Sequence, residues 1–123
     1  MPVKKKAHIL VVDDEADLRV LLDMVVANAG YEVTTAEDGE EAIGKLKISE
    51  FDLALLDIQM PNKSGIEVLK YIQQNSKHTK AIILTGYPDL KYAMEAREYG
   101  ALDFIRKPYR LEDVLSTIER VLA

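Results

Sequence analysis

Three apolar runs of strand length punctuate this chain: Ile9-Leu10-Val11-Val12, Leu53-Ala54-Leu55-Leu56 and Ala81-Ile82-Ile83-Leu84. None alternates polar with apolar residues, so each reads as a strand covered on both faces. Helices on either side of a parallel sheet provide such cover, and segments with helical spacing do separate the runs. The pattern therefore demands crossover connections.

The intervening segments complete the alternation. Leu18, Leu21, Leu22, Val25 and Val26 repeat at three-and-four spacing, with Gly30 placed to end that helix. "YEVTTA", residues 31–36, reads as a weaker, edge-like strand. Ala42, Ile43 and Leu46 mark a second helix after Asp38-Gly39, and Ser64 is placed to cap a third that carries Ile66, Leu69 and Ile72. A fourth, over about residues 89–99, rests on Leu90, Ala93, Met94 and Ala96, mostly small or flexible side chains, so its hold on the sheet is weak. After Gly100, "LDFIRK" reads as a fifth strand, and Leu111, Val114, Leu115, Ile118, Val121 and Leu122 form a clean final helix. The result is an α/β chain: a flavodoxin-like (βα)5 doubly wound fold whose five parallel strands take the order 2-1-3-4-5.

With 123 residues, 48% of them hydrophobic, one domain over residues 1–123 is expected, with residues 1–6 as a flexible basic tail. The absence of cysteine excludes disulfides and thiolate metal sites. A formal net charge of -5 argues against direct nucleic-acid binding, which needs clustered Lys and Arg. The apolar segment behind Lys4-Lys5-Lys6 is too short for a signal peptide or a membrane span, which makes a reducing cytoplasm the natural setting.

In the 2-1-3-4-5 order the winding reverses between strands 1 and 3, and ligands bind beyond the carboxyl ends there. Strand 1 ends on Asp13 and Asp14, strand 3 on Asp57, strand 4 on Thr85 and strand 5 on Lys107. His8 and His78 fall at or before strand starts, on the opposite rim, which argues against a His-based zinc site or a His-assisted nucleophile. Crowded carboxylates need a cation, and all-oxygen ligands favour a hard divalent ion, Mg²⁺. Mg²⁺ commonly shares its shell with phosphate. The Lys107 ammonium can neutralise a phosphoryl oxygen, the Thr85 hydroxyl can donate to another, and Asp57 on the central strand is best placed to attack phosphorus. Taken singly each residue has a duller reading: Asp13 or Asp14 as a helix cap, Asp57 as a turn residue before Pro61, Thr85 as a turn hydroxyl, Lys107 as a solvated cation. Their coincidence on one rim favours a site.

Four stretches, "VVDDE", "LLDIQMPNKSG", "ILTGY" and "FIRKPY", carry a resemblance that spans about residues 7–122. The chain resembles the receiver domain of two-component response regulators, the chemotaxis regulators among them. The resemblance implies that Asp57 is the phosphoacceptor and that Asp13, Asp14, Asp57 and the Gln59 backbone carbonyl hold Mg²⁺, with Mn²⁺ as a possible substitute. It further implies that Thr85 is the switch hydroxyl, that Gly86 lies beside the phosphoryl group, that Lys107 pairs with it, and that the Lys107-Pro108 bond is cis. Met60, Pro61 and Gly65 fit the loop after the phosphoacceptor. Gln59 and Tyr87 stand at variable positions that flank the phosphoryl group and tune its lifetime. The aromatic switch position holds Phe104, where Tyr is frequent, so coupling there must rest on ring packing alone.

The implied function is a signalling switch, not an enzyme beyond its own phosphorylation and dephosphorylation. A sensor histidine kinase or phosphotransfer protein would supply the phosphoryl group. The fourth helix, fifth strand and fifth helix would form the face that changes, for a homodimer or an effector, without membrane or nucleic-acid contact. Three other readings compete. A Mg²⁺-dependent aspartyl phosphohydrolase wants D-x-D on the first strand, where this chain has "VVDDE". A flavin module needs a phosphate-cradling loop where this chain carries acids. A degenerate receiver acting as a binding scaffold would not need the full set of acids with Thr85 and Lys107.

Overall fold

Strands and helices alternate strictly: β1 (His8–Val12), α1 (Ala16–Asn28), β2 (Glu32–Ala36), α2 (Gly39–Ile48), β3 (Leu53–Asp57), α3 (Gly65–Asn75), β4 (Lys80–Thr85), α4 (Leu90–Glu98), β5 (Asp103–Arg106) and α5 (Leu111–Leu122). The computed structural model describes residues 6–58, 64–76, 78–86 and 90–123, with the backbone alone for 90–92. The five strands form one parallel sheet in the order β2-β1-β3-β4-β5. The exposed Lys6 is described from the expected basic tail; the rest of it lies outside the described residues. No helix among the described residues is long and apolar enough to cross a membrane.

The two-sided apolar runs are explained by two core layers. Strand side chains alternate between faces. Leu10, Val12, Ala54, Leu56, Ala81 and Ile83 therefore meet Ala42, Leu46, Val68 and Leu69 of α2 and α3 on one side. Ile9, Val11, Leu53, Leu55, Ile82 and Leu84 meet Leu22, Val26, Val114 and Ile118 of α1 and α5 on the other. Asp38 caps α2 by accepting from Glu41 N at 2.8 Å, and Ser64 accepts from Glu67 N at 3.4 Å at the start of α3. Gly30 and Gly100, with φ of +103° and +93°, close the turns after α1 and α4 in a conformation glycine adopts without strain.

Three details depart from the periodic reading. Leu21 and Met94, placed on apolar stripes, are 41% and 58% exposed, because α1 and α4 each bury a narrower strip than the pattern allows. Among the described side chains of α4 only Ala96 is buried, while Leu90 lies outside them. Strand β5 runs only from Asp103 to Arg106, so the exposed Leu102 lies before its start and Lys107 beyond its end.

Candidate functional site

Register brings the predicted rim together. Val12 pairs with Leu56, and Asp57 with Leu84, so Asp13 and Asp57 leave adjacent strands at the same level. Carboxylate oxygens of Asp13, Asp14 and Asp57 lie within 4.8 Å of one another. Asp13 and Asp57 are buried and Asp14 is exposed, so the cluster has one open side.

Asp13 is held through both its backbone and its carboxylate. Its amide N donates to Ala36 O at 3.2 Å, Oδ1 accepts from Glu15 N at 2.9 Å, and Oδ2 accepts from Lys107 Nζ at 3.0 Å. Its carbonyl accepts from Arg19 Nη1 at 2.8 Å. Asp13 therefore serves the turn into α1 without capping the helix; the N-cap residue is Glu15, whose side chain makes no cap bond.

Lys107 reaches the cluster from the far side of the sheet. Its amide N donates to Thr85 O at 2.6 Å, and the Lys107–Pro108 peptide is cis. Besides Asp13, its Nζ lies 3.3 Å from Asp57 Oδ2 and 3.5 Å from Glu15 Oε1. Burial alone would depress the Lys107 pKa, but the charges of Asp57 and Asp13 and their hydrogen bonds outweigh it and raise the pKa above the ordinary lysine value. Tyr109, two residues on, is pushed up to about 12, first by burial and then by the same acids against the opposing pull of Lys107. Its hydroxyl is buried with no hydrogen-bond partner among the described residues.

The two positions expected to form a switch, Thr85 and Phe104, lie on β4 and β5, one and two strands from β3. Thr85 is buried at the end of β4. Ile83 pairs with Phe104, so alternation puts Thr85 on the same face of the sheet, one step nearer the rim. Phe104 packs against the α2–α3 layer and lines a groove of about 330 Å³ with Met94, Ala96, Arg97 and Leu102. Gly86 is exposed, and a Cβ there would meet the Lys107 Cβ at 4.0 Å, an ordinary contact. Gly65 is tighter: a Cβ would overlap the Asp57 carbonyl oxygen, so the backbone at the start of α3 lies directly against the residue that carries the central carboxylate.

Gln59, Met60, Pro61 and Tyr87 lie outside the described residues. His8 stands at the opposite rim, with Nε2 2.7 Å from Thr34 Oγ1, and His78 occupies the exposed turn before β4. The residue-by-residue reading missed Arg19, Glu15 and Tyr109. Arg19 shows no signal beyond its place in the first helix, whereas Glu15 and Tyr109 adjoin the acidic pair and Lys107 and were within reach of it.

The donor set fits a hard divalent cation. Three carboxylates contribute oxygen only, one side is open, and among the described residues the four acids Asp13, Asp14, Glu15 and Asp57 face the one ammonium of Lys107.

A family profile described as the response regulator receiver domain matches residues 9–119. Sporulation initiation phosphotransferase F of Bacillus subtilis is 33% identical over 114 residues, 93% of this chain and 92% of that protein. The DNA-binding transcriptional regulator NtrC of Salmonella typhimurium is 35% identical over 119 residues; the match takes in 97% of this chain and 25% of NtrC, so this chain spans about a quarter of that protein's length. Among solved structures, the response regulator TrrA of Thermotoga maritima, in complex with Mg²⁺-BeF, superposes with a TM-score of 0.85 at 36% identity and covers 94% of this chain and 99% of that one.

Proposed function

The chain belongs to the response regulator receiver domain family, and from that premise we propose that it is a switch operated by a phosphoryl group on Asp57. The observation that carries this reading is the Lys107 ammonium held 3.0 Å from Asp13 and 3.3 Å from Asp57 at the carboxyl rim of the sheet.

An Asp57 carboxylate oxygen forms a bond to phosphorus as the bond from phosphorus to the donor's leaving atom breaks, and the donor departs with that electron pair. The donor is a phosphohistidine of a sensor kinase or phosphotransfer protein, or a small acyl phosphate. Lys107 turns part of its hydrogen bonding from Asp13 and Asp57 to a phosphoryl oxygen, with no proton transferred, because its raised pKa keeps it charged. Asp13, Asp14 and Asp57, with the Gln59 carbonyl, would hold Mg²⁺ (or Mn²⁺), which supplies neutralisation of the transferring group's charge. The Mg²⁺-BeF bound by the Thermotoga relative supports that assignment.

The phosphoryl group, which carries about -1.5 to -2 at neutral pH in place of the single carboxylate charge, draws the Thr85 hydroxyl toward it. Movement of Thr85 along its face frees space for the Phe104 ring, and the thinly anchored α4 follows. The face formed by α4, β5 and α5 then presents a different surface to an effector or to a second copy of the chain.

Intact mass after incubation with an acyl phosphate and Mg²⁺ tests the reading. One phosphoryl group should be gained, and should be absent from Asp57→Asn and from a Mg²⁺-free control. An adduct that persists in Asp57→Asn would overturn the assignment.

A further inference from the structure

Glu15 lies on the open side of the site and takes no part in the chemistry above. Its Oε1 is 3.5 Å from Lys107 Nζ and its side chain is 61% exposed, against 0% for Asp13 and 8% for Asp57. It occupies the N-cap position of α1 yet makes no cap hydrogen bond. Ser, Thr, Asp or Asn would stabilise the helix there, so capping does not account for this residue, and the pull of a helix N-terminus on an anion accounts for it only weakly. What sets Glu15 apart is that it places a full negative charge where a donor must arrive, on the ammonium that phosphoryl transfer uses.

We infer that Glu15 is a specificity-determining residue that discriminates among phosphoryl donors by their charge, disfavouring small polyanionic ones. The inference rests on the phosphoacceptor reading of Asp57. Two effects act in the same direction. A donor that reaches Asp57 carries its negative charge past an exposed carboxylate, and the repulsion is Coulombic and screened by salt. Glu15 also holds a share of the Lys107 hydrogen bonding, which must be given up before that ammonium turns to a phosphoryl oxygen. A phosphoryl group presented from a protein surface brings compensating charges with it and meets less of this opposition. In the transfer itself the new bond joins Asp57 oxygen to phosphorus and the donor's leaving group departs with its electron pair; Glu15 makes and breaks no covalent bond.

Time courses of phosphoryl uptake by intact mass test this at saturating Mg²⁺, for the unaltered chain, Glu15→Gln and Glu15→Asp. The donors are acetyl phosphate, a dianion, and phosphoramidate, whose ammonium leaves it a net monoanion; each is run at low and at high ionic strength. Glu15→Gln should take up phosphoryl groups from acetyl phosphate about threefold faster than the unaltered chain at low salt, with a smaller gain from phosphoramidate. High salt should shrink that gain, and Glu15→Asp, which keeps the charge, should stay near the unaltered rate. Equal rates for Glu15→Gln and the unaltered chain with both donors, or a gain indifferent to salt, would overturn the inference and leave the phosphoacceptor reading standing. No adduct on the unaltered chain would overturn that reading, and this inference with it.

Discussion

Nζ of Lys107 lies 3.0 Å from Oδ2 of Asp13, a carboxylate with no solvent exposure, although 94 positions separate them in the chain. A buried carboxylate is costly unless paired and hydrogen-bonded. Here the pairing cation arrives from the opposite end of the sequence, and the same ammonium serves Asp57 at 3.3 Å.

Removing that cation should expose the cost. In chelator, Lys107→Met should lose roughly 3 kcal/mol of stability, the low end of what breaking a buried pair costs, because Lys107 keeps some access to water. Added Mg²⁺ should then restore more stability to the variant than it adds to the unaltered chain, since ligand binding to the folded form stabilises it. Urea denaturation with and without Mg²⁺ checks both; an unchanged midpoint in chelator contradicts the pairing.

Alkaline pH should destabilise the fold through two groups. Lys107 and Tyr109 both titrate higher in the folded chain than the usual values of about 10.4 and 10, with Tyr109 near 12. A raised folded pKa contributes stability that is complete below the unfolded value and is lost as pH rises through the folded one. Stability should therefore decline above about pH 10, and more gently in Tyr109→Phe. Spectrophotometric titration of the tyrosines should show a late ionisation near pH 12 that this variant lacks.

Gly65 keeps α3 against Asp57. In Gly65→Ala the new methyl overlaps the Asp57 carbonyl oxygen, so the strand end or the helix start must shift. The overpacking should cost about 1–3 kcal/mol. Misplacement of Asp57, the proposed nucleophile, should slow phosphoryl uptake by about tenfold or more, a mass time course being the readout. Uptake at the unaltered rate would mean that the close approach does not position Asp57.

Thr85→Ala should separate phosphorylation from its consequence. Uptake on Asp57 should persist, while the shift in the Met94 methyl resonance expected when the unaltered chain is phosphorylated should largely vanish. Met94 is a suitable reporter because it is 58% exposed and lines the groove beside Phe104. A full shift in the variant would show that the signal bypasses Thr85.

The legible part of this protein was its periodicity. Runs such as Leu53-Ala54-Leu55-Leu56 carry the signature of two-sided burial, helical spacing separates them, and Gly30 and Gly100 mark the turns, because burial on a regular backbone imposes a regular pattern. That was enough to establish the alternation of parallel strands and helices and, with it, to set Asp13, Asp14, Asp57, Thr85 and Lys107 on one rim, while the order 2-1-3-4-5 rested on the flavodoxin-like precedent for such a chain. Less legible were the helices with thin apolar faces, where Met94 and Leu21 turn outward, since periodicity gives a stripe's direction but not its width.

What the chain order alone could not decide was which polar groups touch. That Lys107 bridges Asp13, Asp57 and Glu15, that Arg19 holds the Asp13 carbonyl, and that Gly65 abuts Asp57 depend on crossovers that bring distant segments within hydrogen-bond reach. Hydrophobic burial is non-directional and leaves its mark residue by residue along the sequence. Hydrogen bonds and ion pairs are short-ranged and directional, so their partners exist only once the tertiary structure has fixed distance and angle.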